Sequence, residues 1–507
     1  MRGAYDVATV RLAEAAVMDD VGPSVLMQRA AVGLADMCTA LLRTVGPGVA
    51  GSRVVILAGS GSNGGDALHA GALLLQRGAS VAAVLLADSV HEAGRRSFVA
   101  AGGLCLSGAD TLSASELIAD ADVVLDGIVG IGGLGPLRPL AAEMSQCAAD
   151  SGALIVAVDL PSGVNADTGS VADTQALVGA DVTVTFGCLK PGLLVAPARD
   201  HAGAVTLVDI GLTSALPAAT LLVLDHADIA RCVPEPSTED YKYSRGVVGI
   251  VAGSGRYRGA GFLATGGARH GNAGMVHYLD RGDGLAADIV DRFWDVVTST
   301  DAPTSVSRAT AWAIGPGIGR DISARSVLRE VLATSCPVVV DADALRVLSD
   351  AEGPLRLDRA SPTVLTPHLG EFAALGFSPG LGAEEDRVGA ARAAAKELGA
   401  VVVLKGPGTV TASPSGRAFI DIEGGPELGT AGSGDVLSGL TAALLAGAAA
   451  RDGGLDDDDA AFVAAAAVAL HGIAGRLAAE GGRPITARDI VDHVPAAVAL
   501  VRRGSTS

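Results

Sequence analysis

The sequence predicts an α/β protein of two domains, the first a doubly wound parallel sheet. Three observations carry this. At 507 residues the chain is too long for one ordinary core. Its 49% hydrophobic content, with only 3% aromatics and 68 glycines, suits close-packed helices and backbone-mediated turns. Short β-branched runs bounded by Gly, Pro or Asp alternate with helical stretches along most of its length.

In the first half a helix is expected from Ser24, a candidate cap, because apolar residues recur at Val25, Leu26, Ala30, Leu34, Met37 and Leu41. Strands are expected at 54–57, 81–86, 123–125, 154–158, 182–185 and 205–208. Ligands of such sheets sit beyond the carboxyl ends of the strands, which directs attention to the loops that follow them. After the first strand comes Gly59-Ser60-Gly61-Ser62-Asn63-Gly64-Gly65-Asp66, a formal GxGxxG with Asp88 near the spacing of a ribose-binding acid. After the third comes Asp126, then Gly130-Ile131-Gly132-Gly133-Leu134-Gly135-Pro136, a backbone-rich anion cradle. After the fourth comes Asp159-Leu160-Pro161-Ser162-Gly163. Asn63, Asp126, Asp159 and Ser162 would converge at one edge of the sheet. Hard oxygen donors of this kind suit a hard cation, and Asp159 or Asp66 could act as an acid or base. Any one of these residues alone reads equally as a strand-end turn residue; the set of three loops points to function.

The pattern loosens between 211 and 245, which puts a domain boundary near 215–235 with 221–224 as the next strand. Further strands are expected at 247–251, 275–279, 311–314, 338–340, 363–365 and 401–404. Their ends carry Gly315-Pro316-Gly317-Ile318-Gly319, Asp341-Ala342-Asp343, Thr366-Pro367-His368 and Lys405-Gly406-Pro407-Gly408-Thr409. The sharpest stretch is Gly429-Thr430-Ala431-Gly432-Ser433-Gly434-Asp435, a flexible loop opening a long apolar helix. Free backbone N–H groups at such a helix end make a phosphate site. Asp435 stands where a Walker loop would have Lys. A carboxylate is repelled by phosphates, so proton transfer from a substrate hydroxyl suits it better, the alternative being a residue that merely favours the first helical turn. Lys405 can place a cation beside phosphates gathered at Gly432 to Gly434. His368 reads either as structural or as a ligand contact. The acidic run 456–459 reads as a solvated surface loop between two helices, not a metal site.

A net charge of −19 argues against nucleic acid as a partner and leaves phosphates to be held locally by loops and a few cations. Six scattered cysteines without a CxxC pair read as buried thiols of a reducing compartment. Residues 1–20 lack the apolar segment of a signal peptide, and the apolar runs at 440–450 and 460–470 read as too short to span a bilayer. A cytoplasmic protein without a membrane partner is expected, and a symmetric homo-oligomer is compatible with its class.

The motifs NGGD (Asn63 to Asp66), the glycine loop Gly130 to Pro136 and VDLPSG (Val158 to Gly163) resemble the YjeF N-terminal domain, the NAD(P)H-hydrate epimerase, over about residues 1–215. Lys190-Pro191-Gly192 resembles that family's later loop. The resemblance implies a Rossmann-like fold in which Ser62 to Asp66, Gly130 to Pro136 and Asp159 bind hydrated NADH or NADPH. It further implies that Asn63, Asp126 and Ser162 hold a potassium ion. Ser62 departs from the family's usual second Asn, and Ala67 from its usual Gly.

GSGRYRGA (253–260), GPGIG (315–319), DADAL (341–345), TPHLGE (366–371), LKGPGT (404–409) and GTAGSGDVLSG (429–439) resemble the ribokinase-like ADP- or ATP-dependent (S)-NAD(P)H-hydrate dehydratases over about residues 220–507. This implies nucleotide contacts at Lys405, Gly406, Pro407, Gly408, Thr409 and Gly434, and hydrate contacts at Ala260, Gly317, Gly319, His368 and Asp435. It also implies Mg²⁺ arriving with ADP or ATP. The other readings of these residues are a ribokinase-type small-molecule kinase with an auxiliary nucleotide-binding domain, an NAD-dependent oxidoreductase built on Gly59 to Gly64, and an inactive N-terminal binding module.

Overall fold

The computed structural model describes every residue except 46–47, 134, 174–176, 178, 234–235, 307, 351–356, 358, 381–384 and 505–507. The chain divides into two compact units, the smaller built mainly from Gly3–Ala219 and the larger from Thr220–Pro379 with Arg387–Ser507.

In the smaller unit the strands lie side by side in the order Leu104–Ser107, Ser80–Leu85, Arg53–Ala58, Val123–Gly127, Leu154–Val158, Val182–Phe186 and Ala204–Val208. Every neighbouring pair is parallel. Five successive residues of Arg53–Ala58, Val54 to Ala58, are buried, the continuous apolar run of a strand covered on both faces. One face packs Ile56 and Leu125 with Leu34 and Cys38 of the helix Pro23–Val45. The other packs Leu57 and Val124 with Ile118 and Met144. Chain order reverses direction across the sheet between Arg53–Ala58 and Val123–Gly127, and the crevice beyond such a switch point is where ligands sit.

Three expectations for this unit need correction. The helix starts at Pro23, so Ser24 lies in its first turn and is not its cap; proline lacks the N–H that the first turn leaves unpaired. A preceding helix, Val7–Val21, went unread; Asp6 caps it by accepting a hydrogen bond from the Thr9 N–H at 2.7 Å. The edge strand Leu104–Ser107 went unread as well.

The larger unit continues the same logic. Its strands run Leu221–Val223, Ala418–Ile420, Val410–Ala412, Val401–Leu404, Thr363–Leu365, Val338–Val340, Ala311–Ile314, Val247–Val251, Met275–Leu279 and Val296–Ser299. From Val401–Leu404 to Val296–Ser299 all pairings are parallel. Val410–Ala412 turns back antiparallel on both its neighbours. The helix Ser433–Asp452 presses directly on Arg258–His270. A Cβ added at Gly439 would sit 1.9 Å from the Ala264 carbonyl oxygen, so only glycine permits this approach.

The apolar runs near 440–450 and 460–470 belong to helices of 20 and 22 residues. Contrary to the sequence reading, these are long and apolar enough to cross a membrane, as is the stretch Pro23–Thr44. Within the protein, 72% and 83% of the apolar windows of the two longer-range helices are buried, against 39% of Pro23–Thr44. The acidic run is not a loop either. Asp456 caps the helix Asp457–Ala478, accepting from the Asp459 N–H at 2.8 Å, and Asp457 to Asp459 form its first turn, where the helix dipole favours negative charge. All six cysteines are free thiols; Cys38, Cys188 and Cys232 are buried, whereas Cys105, Cys147 and Cys336 are only half-buried.

Candidate active sites

In the smaller unit a cavity of about 470 Å³ opens at the switch point. Its floor is the first turn of the helix Ser62–Gln76, whose N-terminal N–H groups have no side-chain cap. Ser62, Asn63, Asp66, Gly130, Ile131, Gly132 and Asp159 all line it. Gly64, Gly65, Gly133, Gly135 and Pro136 of the expected set are not among its lining residues, nor is Asp88; Leu134 lies outside the described residues.

Asp159 follows the strand Leu154–Val158 with a left-handed backbone, φ 66°, unusual for a residue other than glycine. Tertiary contacts hold it there. Its Oδ1 accepts from the Lys190 ammonium at 2.6 Å, the Thr185 hydroxyl at 3.1 Å and the Phe186 N–H at 3.2 Å. Lys190 is 1% exposed and donates also to Thr185 Oγ1 and the Phe186 carbonyl, so all three of its protons are used. Oδ2 is left for a ligand in the cavity. Burial, then the charges of Asp159 and Glu14, push the Asp66 carboxyl well above the usual carboxylate range. The cavity thus holds one carboxyl whose protonated form burial favours and a second carboxylate braced by an ammonium. Lys190→Met should lower stability by about 3 kcal/mol, since it strands a nearly buried carboxylate. Asp159→Asn combined with Lys190→Met should recover most of that loss; a urea midpoint unchanged in the single variant would contradict the pairing.

Asp126 and Ser162 are both fully buried and bonded to one another. The Ser162 hydroxyl donates to Asp126 Oδ1 at 2.6 Å and its N–H to Oδ2 at 2.8 Å. Burial holds the Asp126 carboxyl above its usual range despite these bonds, and no lysine or arginine pairs with it among the described residues. The Asn63 amide nitrogen is also buried without a partner. The oxygens of Asn63, Asp126 and Ser162 are the hard donors a monovalent cation would need, and Asp126 lacks a counter-charge; the unpartnered Asn63 nitrogen is a donor and adds nothing to that fit.

In the larger unit the strand ends bring together what the sequence scattered. Gly432, with φ 86°, opens the helix Ser433–Asp452 without a side-chain cap, and Asp435 stands half-buried in its first turn. The Lys405 ammonium bonds Asp341 Oδ1 at 2.8 Å and lies 4.0 Å from Glu371. A Cβ added at Gly434 would be 3.2 Å from the Lys405 ammonium, so the helix end and the cation face one space. Burial, then Asp341, pushes the Asp435 carboxyl up to about 7, with Lys405 partly offsetting them. Burial alone would lower the Lys405 ammonium, but Asp341, Glu371 and Asp435 hold it above its ordinary value.

His368 sits beside Lys405 through an isolated parallel bridge. Its Nδ1 accepts from the Gly370 and Glu371 N–H groups and caps the helix Leu369–Ala374, while the side chain stays 56% exposed. Gly317, with φ 63°, leaves room only 2.9 Å from the Ala260 methyl for any added Cβ, which brings those two expected contacts together. The Gly319 N–H instead donates to Asp343 at 2.9 Å. Thr409 closes the 405–409 turn, its hydroxyl donating to the Gly406 carbonyl at 2.9 Å; Pro407 is exposed and Gly408 buried.

Two residues went unmarked by sequence. Asp341 was quoted only as part of a motif, yet it is the direct partner of Lys405. His471, fully enclosed in the helix Asp457–Ala478, has its Nε2 3.0 Å from the Ser433 carbonyl and 3.2 Å from its hydroxyl. Burial depresses its imidazolium to about 4, so it is neutral and clamps the first turn below Gly434.

Residues 23–192 match the family described as YjeF-related protein N-terminus, and residues 248–496 the NAD(P)H-hydrate dehydratase family. The bifunctional NAD(P)H-hydrate repair enzyme Nnr of Mycobacterium leprae is 45% identical over 448 residues, 88% of this chain and 89% of its own. That of Corynebacterium glutamicum is 33% identical over 583 aligned positions, covering 99% of each. A solved ADP/ATP-dependent NAD(P)H-hydrate dehydratase from Bacillus subtilis is 28% identical, covers 55% of this chain and 98% of its own, and superposes with a TM-score of 0.46. With both family matches in order and relatives 45% and 33% identical over 88% and 99% of the chain, the chain belongs to the bifunctional NAD(P)H-hydrate repair enzymes.

Proposed function

We propose that the chain repairs hydrated nicotinamide cofactors in two steps: the smaller unit interconverts the R and S hydrates, and the larger dehydrates the S form with ADP or ATP. The observation that carries the second step is Asp435, half-buried at an uncapped helix end beside Lys405 and pushed up to about 7. In this reading Asp435 takes the proton of the hydrate's C6 hydroxyl as that oxygen attacks the terminal phosphoryl group of ADP or ATP, whose bridging P–O bond breaks to release AMP or ADP. Lys405 and the N–H groups of the 432–434 turn stabilise the spreading charge. Phosphate then leaves C6 with electron push from the ring nitrogen, and loss of a C5 proton restores the dihydronicotinamide. Among the described residues no group of three or more His, Cys, Asp or Glu is placed to hold a metal. That fits Mg²⁺ carried in on the nucleotide phosphates, where it neutralises their charge.

Epimerisation requires a planar C6: a base takes the C6 hydroxyl proton as the N1–C6 bond breaks and an acid protonates N1, giving a ring-opened C6 aldehyde that re-closes on either face with both protons returned. Asp66, whose protonated form burial favours, would supply that acid and Asp159, braced by Lys190, that base across the cavity. Asn63, Asp126 and Ser162 would hold the potassium ion, whose charge would favour ligand anions at the 130–133 loop.

The test is recovery of dihydronicotinamide absorbance from mixed R and S hydrates with ADP, with ATP and with neither. Complete, nucleotide-dependent recovery is expected; a stable phosphorylated product in place of free phosphate would make the chain a kinase. The pH profile follows from Asp435. As the base it must be ionised, so kcat/KM for dehydration should rise through about pH 7 from the acid side and fall about tenfold per unit below it. A flat profile from about pH 5.5 to about 8 would remove Asp435 from that role.

A further inference from the structure

We propose that Arg11, on the helix Val7–Val21, is the cation that binds a phosphate group of the hydrated dinucleotide in the smaller unit; this rests on the epimerase reading above. The helix precedes the residues 23–192 that match the family, so that match does not include it. Among the described residues that line the 470 Å³ cavity, Arg11 is the only lysine or arginine, against the three carboxylates of Glu14, Asp66 and Asp159. Lys190 cannot serve, being buried with its three protons committed.

A dinucleotide brings two negative charges on its diphosphate, and the phosphorylated form about two more on the ribose. Among the described side chains that line the cavity, only Arg11 offers these a positive charge; the potassium ion proposed at Asn63, Asp126 and Ser162 would add one from beneath the 130–133 loop, with no directional N–H donors.

The position of Arg11 is specific. Its Nη2 lies 3.3 Å from where a Cβ on Gly132 would be, so the guanidinium stands against the glycine loop on the cavity side. The side chain is exposed and pairs with no acid at ion-pair distance among the described residues. Glu14, one turn along on the same helix, is held above its usual range by burial and Asp159 and is only partly offset by Lys190 and Arg11. The guanidinium is therefore available to a phosphate and matches its oxygens bidentately. The uncapped helix end at Ser62 supplies N–H donors across the same cavity.

The full chain, given mixed hydrates and saturating ADP, should show a fast phase from the S form and a slow phase limited by epimerisation. Arg11→Ala should raise KM in the slow phase about tenfold or more with kcat within about twofold, as loss of a charge-assisted bond to a ground-state phosphate requires. Arg11→Lys should recover part of it. The fast phase should be unaltered, which reports an intact larger unit, while the retained kcat of the slow phase reports an intact smaller one. A rise with both the NADH and NADPH hydrates places the diphosphate on Arg11; a rise with the NADPH hydrate alone places the ribose phosphate there. Unchanged KM for both, in Arg11→Ala and in Arg11→Glu, would overturn the assignment. A wild-type slow phase no faster than the spontaneous one would instead remove the epimerase reading, and this assignment with it.

Discussion

Asp435→Asn is expected to lower dehydration at least about 10³-fold while leaving nucleotide binding within about twofold, the loss typical of removing a positioned general base. The substitution keeps the size and helical position of the side chain and the nucleotide contacts proposed at Lys405 to Thr409; losing its charge removes a small support of the Lys405 ammonium together with a repulsion of the phosphates, and the two offset. What disappears is the acceptor for the hydroxyl proton. Calorimetry with ADP and phosphate release in the presence of the S hydrate separate the two effects; turnover within tenfold of wild type would reassign the base. The same variant should be no less stable than the parent above pH 7. The folded chain holds this carboxyl protonated up to about 7, whereas an unfolded aspartate ionises near 4, so its contribution to stability is lost as pH rises between those values. Asparagine removes that loss. A site residue that costs stability where it functions is an ordinary trade-off.

The parts of these sites that were readable in the sequence are those where chemistry follows a strand end. Asn63, Asp66 and Asp159 in the smaller unit and Lys405 in the larger each lie beyond a short apolar strand, and each parallel sheet carries such positions to its own carboxyl edge, while the 429–435 loop was legible from its glycines. What escaped reading depends on distance along the chain or on weak periodicity. The Lys190 ammonium reaches Asp159 across 31 residues, and His471 reaches Ser433 across 38, with no spacing rule to announce either. The helix Val7–Val21 carries only Val10 and Ala13 buried and leaves Leu12 74% exposed, so its apolar stripe is thin. Arg11 and Glu14 went unseen with it. The strands Val296–Ser299, Val410–Ala412 and Ala418–Ile420 went unread, whereas the equally short Val338–Val340 and Val401–Leu404 stand out as unbroken Val/Leu runs that end at Asp341 and Lys405. His368 was ambiguous for a physical reason: an imidazole that caps a helix through Nδ1 still presents its other nitrogen to a ligand.

Asp159→Asn is expected to slow interconversion of the hydrates at least about 10²-fold, so that mixed hydrates with ADP recover absorbance rapidly only to the S fraction. Asparagine is the informative replacement. It tolerates the left-handed backbone at φ 66°, and its amide oxygen can keep the bonds that Oδ1 accepts from Lys190, Thr185 and Phe186. Both replacements remove the counter-charge of Lys190, but alanine also removes the acceptor for its ammonium and for Thr185 and Phe186, and so mixes lost chemistry with a larger loss of fold. With the asparagine variant, the fast phase should match wild type and the remainder should recover at the spontaneous rate. R hydrate still converting at the wild-type rate would show that Asp159 only shapes the cavity, and would move the proton chemistry to Asp66 and Glu14. The logic of a single chain then becomes quantitative. Flux from the R hydrate through the larger unit can be no faster than the step Asp159 supports, so one substitution should turn complete repair into repair of one epimer.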